Sequence, residues 1–344
     1  MGIEPKKRTL LVTGGAGFIG SNFIPYFLDK NADCQVINLD KLTYAGNLSN
    51  LLDVCENNRY HFVEGAICDK NLVNQLFKEY KIDGIIHFAA ESHVDNSIER
   101  PDSFIKTNIE GTFVLLEAAR KYWMDSPNKV KGGFENARFH HISTDEVYGS
   151  LGAEGFFTED TAYAPNSPYS ASKASSDLLV RSYFHTYGLN VVTSNCSNNY
   201  GPKQHDEKLI PTIIRKALDG ENIPIYGDGT NVRDWLFVMD HCKGIGLVFD
   251  EGKSGETYVI GGDNEHNNLY IAERICAMLD SANPREKGSY REQISFVKDR
   301  PGHDLRYAID ASKIKKELDW SPKESFDSGL EKTIAWYATK YQKV

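Results

Sequence analysis

Apolar positions along the chain fall in short blocks separated by longer segments of mixed character. Thr9–Val12, Gln35–Leu39, His61–Val63, Gly84–Phe88 and Arg138–Ile142 are compact runs of strand length. Between and after them, 21–30, 70–80, 104–123 and 168–187 have the length and pattern of helices. Strands that alternate with helices predict right-handed crossovers and a parallel sheet covered on both faces. The expected fold class is therefore α/β with a doubly wound parallel sheet.

Beyond about residue 200 the texture changes. Asn199-Tyr-Gly-Pro202, Asn222-Ile-Pro224 and Gly227-Asp-Gly229 cut the chain into shorter pieces. Helical patterns persist at 208–219, 239–250, 269–280 and 326–340, the last with Trp336 and Tyr337 on an apolar stripe. This predicts a nucleotide-binding domain over 1–199, to which 238–255 returns, and a smaller, partly interleaved α/β lobe over 200–344. The stretch 127–134, with Gly132 and Gly133, reads as an exposed loop without an assigned role. No internal period of 20 to 50 residues suggests a repeat architecture.

Composition narrows the function classes. A formal net charge of −9, without an extended Lys/Arg run, argues against a nucleic-acid partner, because phosphate binding needs a clustered positive field. No stretch approaches the ~20 apolar residues of a membrane span, so no membrane partner is expected. The six cysteines are scattered without metal-ligand spacing, which predicts free thiols, no metal and a reducing compartment. Met1–Arg8 is charged and has no apolar core, so the cytoplasm is the expected location.

The first strand runs into Thr13-Gly-Gly-Ala-Gly-Phe-Ile-Gly20, whose glycines at 14, 17 and 20 open a helix. Unpaired N–H groups and the dipole of that helix suit a pyrophosphate. Asp40 follows about 20 residues later, at the end of the second strand, where a carboxylate binds a ribose 2′-hydroxyl and repels a 2′-phosphate. These features predict a Rossmann dinucleotide site that prefers NAD to NADP, although Lys41 beside the acid would tolerate the extra phosphate.

A second motif, Ser167-Pro-Tyr-Ser-Ala-Ser-Lys173, sets Tyr169 and Lys173 four apart on one helical face. An ammonium beside a phenol favours phenolate, which makes Tyr169 a candidate base at an alcohol. With Ser143 and Thr144 ahead of it, the motif resembles the Ser/Thr, Tyr, Lys set of short-chain dehydrogenases, which implies that Thr144 would hydrogen-bond the same hydroxyl. Oxidation of an alcohol requires no more than this set and NAD. Asp145 and Glu146 are surplus to it, and a second acid and base beside an oxidation centre suggest an elimination. A carbon-bound proton becomes removable once the adjacent alcohol is a ketone, so transient oxidation enables loss of water.

The motifs together resemble the dTDP-glucose 4,6-dehydratases of the extended short-chain dehydrogenase/reductase family. The resemblance rests on Thr144–Gly149, Ala89–Asp95, Tyr169–Lys173, Cys196–Pro202, Glu207–Pro211, Asn231–Trp235 and Asp299–His303. It extends from about residue 8 to 338. It implies an enzyme, a lyase of deoxysugar biosynthesis such as that of dTDP-rhamnose, with a nucleotide-sugar substrate and tightly bound, recycled NAD⁺. Tyr169 would take the C4 hydroxyl proton as hydride passes to NAD⁺; Glu146 would remove the C5 proton; Asp145 would protonate the leaving C6 hydroxyl; and the hydride would return to C6. From spacing alone, the order of acid and base at 145 and 146 stays open.

The same resemblance assigns cofactor contacts to Gly14, Gly17, Phe18, Ile19, Gly20, Asp40, Lys41, Leu42, Thr43, Ala66, Ile67, Ala89, Ala90, Thr107, Tyr169, Lys173 and Asn199. It assigns substrate contacts to Ser92, Thr144, Asn198, Lys208, Leu209, Pro224, Tyr226, Arg233, Asn268, Asp299, Arg300 and His303. Arg233 suits a diphosphate because a guanidinium is a planar fork of donors. Many relatives carry Asp where this chain has Ala66, and that Asp contacts the adenine amino group. Its absence implies weaker NAD binding.

His93 is a candidate cofactor or substrate contact, while His87, His140 and His141 read as core histidines. Relatives dimerise through the helices at 104–123 and 168–187, which implies a homodimer. Rival readings are a UDP- or CDP-glucose 4,6-dehydratase, a nucleotide-sugar 4-epimerase that has no need of acid and base at 145 and 146, and a catalytically silent dinucleotide sensor.

Overall fold

The computed structural model describes residues 8–299 and 304–341. In chain order the first half comprises β1 (Arg8–Thr13), α1 (Phe18–Lys30), β2 (Cys34–Asp40), β3 (Tyr60–Glu64), α2 (Lys70–Tyr80), β4 (Gly84–His87), α3 (Val94–Glu99), α4 (Pro101–Phe104), α5 (Thr112–Trp123), β5 (Met124–Ser126), β6 (Lys129–Val130), β7 (Arg138–Thr144) and α6 (Pro168–Tyr187). The second half comprises β8 (Val191–Cys196), β9 (Asn198–Tyr200), α7 (Leu209–Asp219), β10 (Ile223–Tyr226), β11 (Val232–Phe237), α8 (Val238–Glu251), β12 (Thr257–Ile260), β13 (Glu265–Asn267), α9 (Asn268–Ala282), β14 (Ile294–Val297), α10 (Ser312–Leu318) and α11 (Phe326–Tyr341).

Seven strands form one sheet in the order β12-β8-β7-β4-β1-β2-β3, and every pairing is parallel. The chain winds from β1 outward to β3, then restarts at β4 and winds the other way. The switch point therefore lies between β1 and β4, and their carboxyl ends open a crevice there. One layer of core joins Leu11, Ile37 and Ile85 to α2, α5 and α6 through Phe77, Leu115 and Val180. The opposite layer joins Leu10, Val12 and Val36 to Phe23 of α1 and to Cys242, Ile245 and Phe249 of α8.

Local sequence accounts for the elements that frame the site. Ser167 and Ser170 cap α6 reciprocally, Pro168 occupies its first turn, and Gly188 ends it in a left-handed conformation. Asp69 caps α2 by accepting from the backbone N–H groups of Asn71 and Leu72. The single helix expected over 104–123 is instead three pieces: α4, a π-helical stretch from Ile105 to Gly111, and α5. Sequence periodicity does not distinguish a π turn from an α turn, because one inserted residue leaves both flanking faces intact.

One strand of the main sheet, β8, has only a short apolar start to announce it. Val191-Val-Thr-Ser-Asn-Cys196 is buried along its whole length, yet half its side chains are hydroxyl or amide groups that hydrogen-bond inside the fold. The 127–137 region holds the small β5–β6 hairpin followed by a turn, with open space around Gly132 and Gly133.

The remaining strands build a lobe at the mouth of the crevice. β9 pairs in parallel with β11, which pairs antiparallel with β13; β10 pairs in parallel with β14. Its core gathers Ile213, Ile214, Ile225, Trp235, Ile275, Leu330 and Tyr337 from strands and from α7, α9 and α11. Among the described residues, no helix is long and apolar enough to cross a membrane.

Candidate active site

A cleft of about 670 Å³ opens where β1, β4, β7 and β8 end. At its floor, Gly14 adopts a φ of +71°, and a side chain there would meet the Ala89 backbone at 2.7 Å. Only glycine allows that turn and that approach. A Cβ on Gly20 would strike Gly14 O at 2.6 Å, so the first turn of α1 packs directly on the loop. Gly17 differs, since a Cβ there meets only Gly14 O at 3.3 Å and otherwise faces the cleft. The helix N-terminus is thus bare of side chains on the side where a pyrophosphate would approach.

Asp40 closes this end. Its carboxylate accepts from Ala16 N and from Leu42 N, each at 2.9 Å, and so ties the second strand to the glycine loop. Asn108, from the π-helical stretch, bonds both backbone groups of Glu91 and donates to Ser172 on α6 at 2.8 Å. That clamp holds the 89–92 segment against the catalytic helix.

Of the predicted cofactor residues, Gly14, Gly17, Phe18, Ile19, Gly20, Asp40, Lys41, Thr43, Ala66, Ile67, Ala89, Ala90, Thr107, Tyr169, Lys173 and Asn199 all line the cleft. Leu42 does not; it adopts a φ of +52° and presents its backbone N–H to Asp40. These residues fit a dinucleotide on the chemistry of the cradle itself: side-chain-free N–H groups at one end and a fixed carboxylate beyond them.

At the other end Thr144 terminates β7, and Asp145 to Tyr148 form a turn of 3-10 helix. Thr144 Oγ1 accepts from Glu146 N and donates to Asp145 Oδ1, each at 3.3 Å, and its hydroxyl also bonds the Tyr169 phenol. Asp145 is 1% exposed, and its Oδ2 has no protein hydrogen-bond partner. Burial, reinforced by the charges of Glu146 and Asp234, holds its carboxyl well above the usual carboxylate range. A carboxyl whose value is raised in this way suits a proton donor rather than a base.

The Tyr169 phenol departs from expectation. Burial first, then the Glu146 charge, pushes it well above its ordinary value, while the Thr144 bond opposes the rise. The Lys173 ammonium donates to Ile142 O at 2.8 Å, and burial lowers it to about 8.

Ser92, Asn198 and Lys208 join Thr144 in the cleft, and Lys208 donates to Ser92 O at 3.2 Å. Leu209, Pro224, Tyr226, Arg233, Asn268 and Asp299 are not among its lining residues. Arg233 is buried, stacks on Tyr307 at 4.2 Å, and donates to Val232 O and Asp304 O at 2.7 and 3.0 Å. Pro224 and Tyr226 lie on β10, and Asp299 stands near Gly227 beyond it. Arg300 and His303 lie outside the described residues. Phe88, Glu91, Lys106, Glu110 and His205 also line the cleft, although the sequence had singled out none of them as a contact.

The histidines separate into different roles. His93 caps α3 and stands 3.9 Å from Glu207. His87 is satisfied at both nitrogens, by Thr13 at 2.7 Å and Thr112 at 2.9 Å. His140 bonds Ser194 at 2.9 Å, leaving Nδ1 without a protein partner. His141 lies between Lys173 and Asp177 and is more than a packing residue.

Comparison with known proteins agrees with this geometry. The profile of the family described as GDP-mannose 4,6 dehydratase matches residues 11–333. A dTDP-glucose 4,6-dehydratase of Xanthomonas campestris pv. campestris (strain B100) is 57% identical over 332 residues, covering 96% of this chain and 93% of its own. The crystal structure of the Streptomyces venezuelae dTDP-glucose 4,6-dehydratase with NAD and TYD bound superposes with a TM-score of 0.86 at 46% identity, covering 96% of this chain and 97% of that one. A UDP-glucose 4-epimerase from Thermotoga maritima has a TM-score of 0.83 at 28% identity, over 97% of this chain and 100% of its own. Backbone shape thus separates the two activities little, whereas identity separates them clearly. The chain belongs to the dTDP-glucose 4,6-dehydratase family, within the wider group described as GDP-mannose 4,6 dehydratase.

Proposed function

We propose that the chain converts dTDP-glucose to dTDP-4-keto-6-deoxyglucose and water, with NAD⁺ regenerated in each turnover. The observation that carries this reading is a buried Asp145, its carboxyl held well above the usual carboxylate range, beside Glu146 at the end of the strand that also supplies Thr144. An alcohol dehydrogenase or a 4-epimerase has no use for that pair.

The cradle of Gly14, Gly17, Gly20 and Asp40 holds NAD⁺, with Ala66, Thr107 and Asn199 along its walls. Bound NAD⁺ supplies the redox capacity, removing hydride at C4 and restoring it at C6, and its cationic ring opposes the rise in the Tyr169 pKa. Tyr169 accepts the C4 hydroxyl proton, and Thr144 orients that hydroxyl. The resulting C4 ketone acidifies the C5 proton, which Glu146 removes. Asp145 gives its proton to the C6 oxygen as the C6–O bond breaks, so water leaves and a C5–C6 double bond forms. Returning hydride to C6 and a proton to C5 completes the product. The deeper burial of Asp145 than of Glu146 supports the assignment of Asp145 as donor and Glu146 as base.

The cofactor half is taken as 1–199 with 238–255, and the substrate lobe as the interleaved remainder of 200–344. Exposed Ile105, Phe113 and Leu178 on the π-helical stretch, α5 and α6 support a homodimer through those helices; a sedimentation mass of one chain would overturn it. The reaction itself is tested with dTDP-glucose deuterated at C4. Product with deuterium at C6 supports dehydration, inversion at C4 identifies an epimerase, and unchanged sugar identifies a silent binder.

A further inference from the structure

Behind the catalytic residues lies a second layer of polar groups that the reaction scheme does not use. Tyr169, Lys173 and Asp177 recur every four residues on α6, so they form one buried row along a single helix face. Asp177 Oδ2 accepts from Ser143 Oγ at 2.8 Å, Tyr163 OH at 3.0 Å and Asn195 Nδ2 at 3.1 Å. Those donors come from β7, from the chain before α6, and from β8. Asp177 Oδ1 accepts no hydrogen bond in this set and stands 3.1 Å from His141 Nε2. The same Nε2 is 3.5 Å from Lys173 Nζ.

Three donors converging on one oxygen fix the carboxylate in place and favour its charged form. The charge then acts through His141 on the ammonium, which is otherwise held only by Ile142 O at 2.8 Å. A buried ammonium without a counter-charge loses its proton easily. We propose that Asp177 is a positioning residue for the reaction: anchored by Ser143, Tyr163 and Asn195, it serves through His141 as the counter-ion that keeps Lys173 protonated beneath Tyr169.

This inference rests on the proposed function and adds to it that Lys173, one helical turn from Tyr169, acts there as a cation. The other ionisable groups around the row are His87 on β4, His141 on β7, Asp145, Glu146 and Tyr148 on the turn after it, Tyr163 before α6, and Cys196 on β8. His87 and His141 are both held neutral, chiefly by burial, so neither supplies the positive charge. Asp177 Oδ1 and Lys173 Nζ both face His141 Nε2, at 3.1 and 3.5 Å, and Asp177 is the foremost charge holding the Lys173 value up. Burial pushes Asp177 up to about 6, with Lys173 and the three donors pulling it down, so at pH 7 and above it carries its charge.

The sign of the effect follows. Lys173 must be charged, and it loses its proton as pH rises through a value near 8; the Asp177 charge raises that value. Asp177→Asn should therefore move the basic limb of the kcat/KM profile of the NAD-loaded enzyme to lower pH by about one unit. Asp177→Glu should bring the limb back toward the parent position. A purely structural loss would scale the whole profile down and leave the limb where it was, and that result would overturn the proposal. Limb position is read from whatever fraction is folded, so a lower melting temperature does not obscure it. Lys173→Met, assayed alongside, separates the two ideas. Parent-like activity in it would sink the role of Lys173 in the reaction, whereas an inactive Lys173→Met with an unmoved Asp177→Asn limb would sink only the role of Asp177.

Discussion

The two ends of the cleft are built by different means. The cofactor end is made of backbone: glycines at 14, 17 and 20 exist to remove side chains, and even Asp40 spends its carboxylate oxygens on backbone N–H groups. The side proposed for the substrate draws on side chains from a separate lobe, where Arg233 is buried against carbonyls and Tyr226 lies on an outlying strand. A backbone cradle is rigid and reads directly from a short motif. A side-chain site needs the lobe to be in place before its residues mean anything.

The comparison can be strained most severely at Gly14. Gly14→Val should lower stability by about 3 kcal/mol or more, because the residue both overpacks against Ala89 and demands a left-handed backbone. Its melting temperature should fall and its NAD content with it. A variant that melts and binds NAD like the parent would show that the loop is softer than this geometry allows.

On the opposite side, Arg233→Lys replaces the planar fork with a single ammonium. KM for dTDP-glucose should rise about tenfold, while NAD content stays at the parent level. Loss of NAD in this variant would mean that the two ends are not independent. The smallest effect is expected at Ala66, which lines the wall beyond Asp40. Ala66→Asp should raise retained NAD⁺ by roughly threefold to tenfold, the worth of one added hydrogen bond. Equal occupancy in the two purified proteins would remove Ala66 as a determinant of affinity.

Legibility in the sequence follows the same division. The glycine loop, Asp40 and the acid pair were readable because a turn, a strand end and two adjacent carboxylates leave local marks. The α6 motif was readable in part: Tyr169 and Lys173 stood out, but Asp177 did not, because one acid on a helix face is ordinary until Ser143, Tyr163 and Asn195 converge on it. Strand β8 was missed for a related reason. Its Thr, Ser and Asn residues look exposed in a linear pattern and are buried in the fold, where other polar groups satisfy them. Helical spacing sets the face shared by Tyr169 and Lys173 but not where the ammonium donates, which is Ile142 O.

The central claim is that Asp145 is the proton donor to the departing C6 oxygen and has no part in the preceding oxidation. Single-turnover absorbance at the NADH band, recorded for NAD-loaded Asp145→Asn with dTDP-glucose, tests it directly. NADH should appear at close to the parent rate and then persist, with release of the 4-keto-6-deoxy product slowed about a hundredfold or more, the ordinary worth of a general acid. Decay of NADH and product release at the parent rate would contradict the assignment.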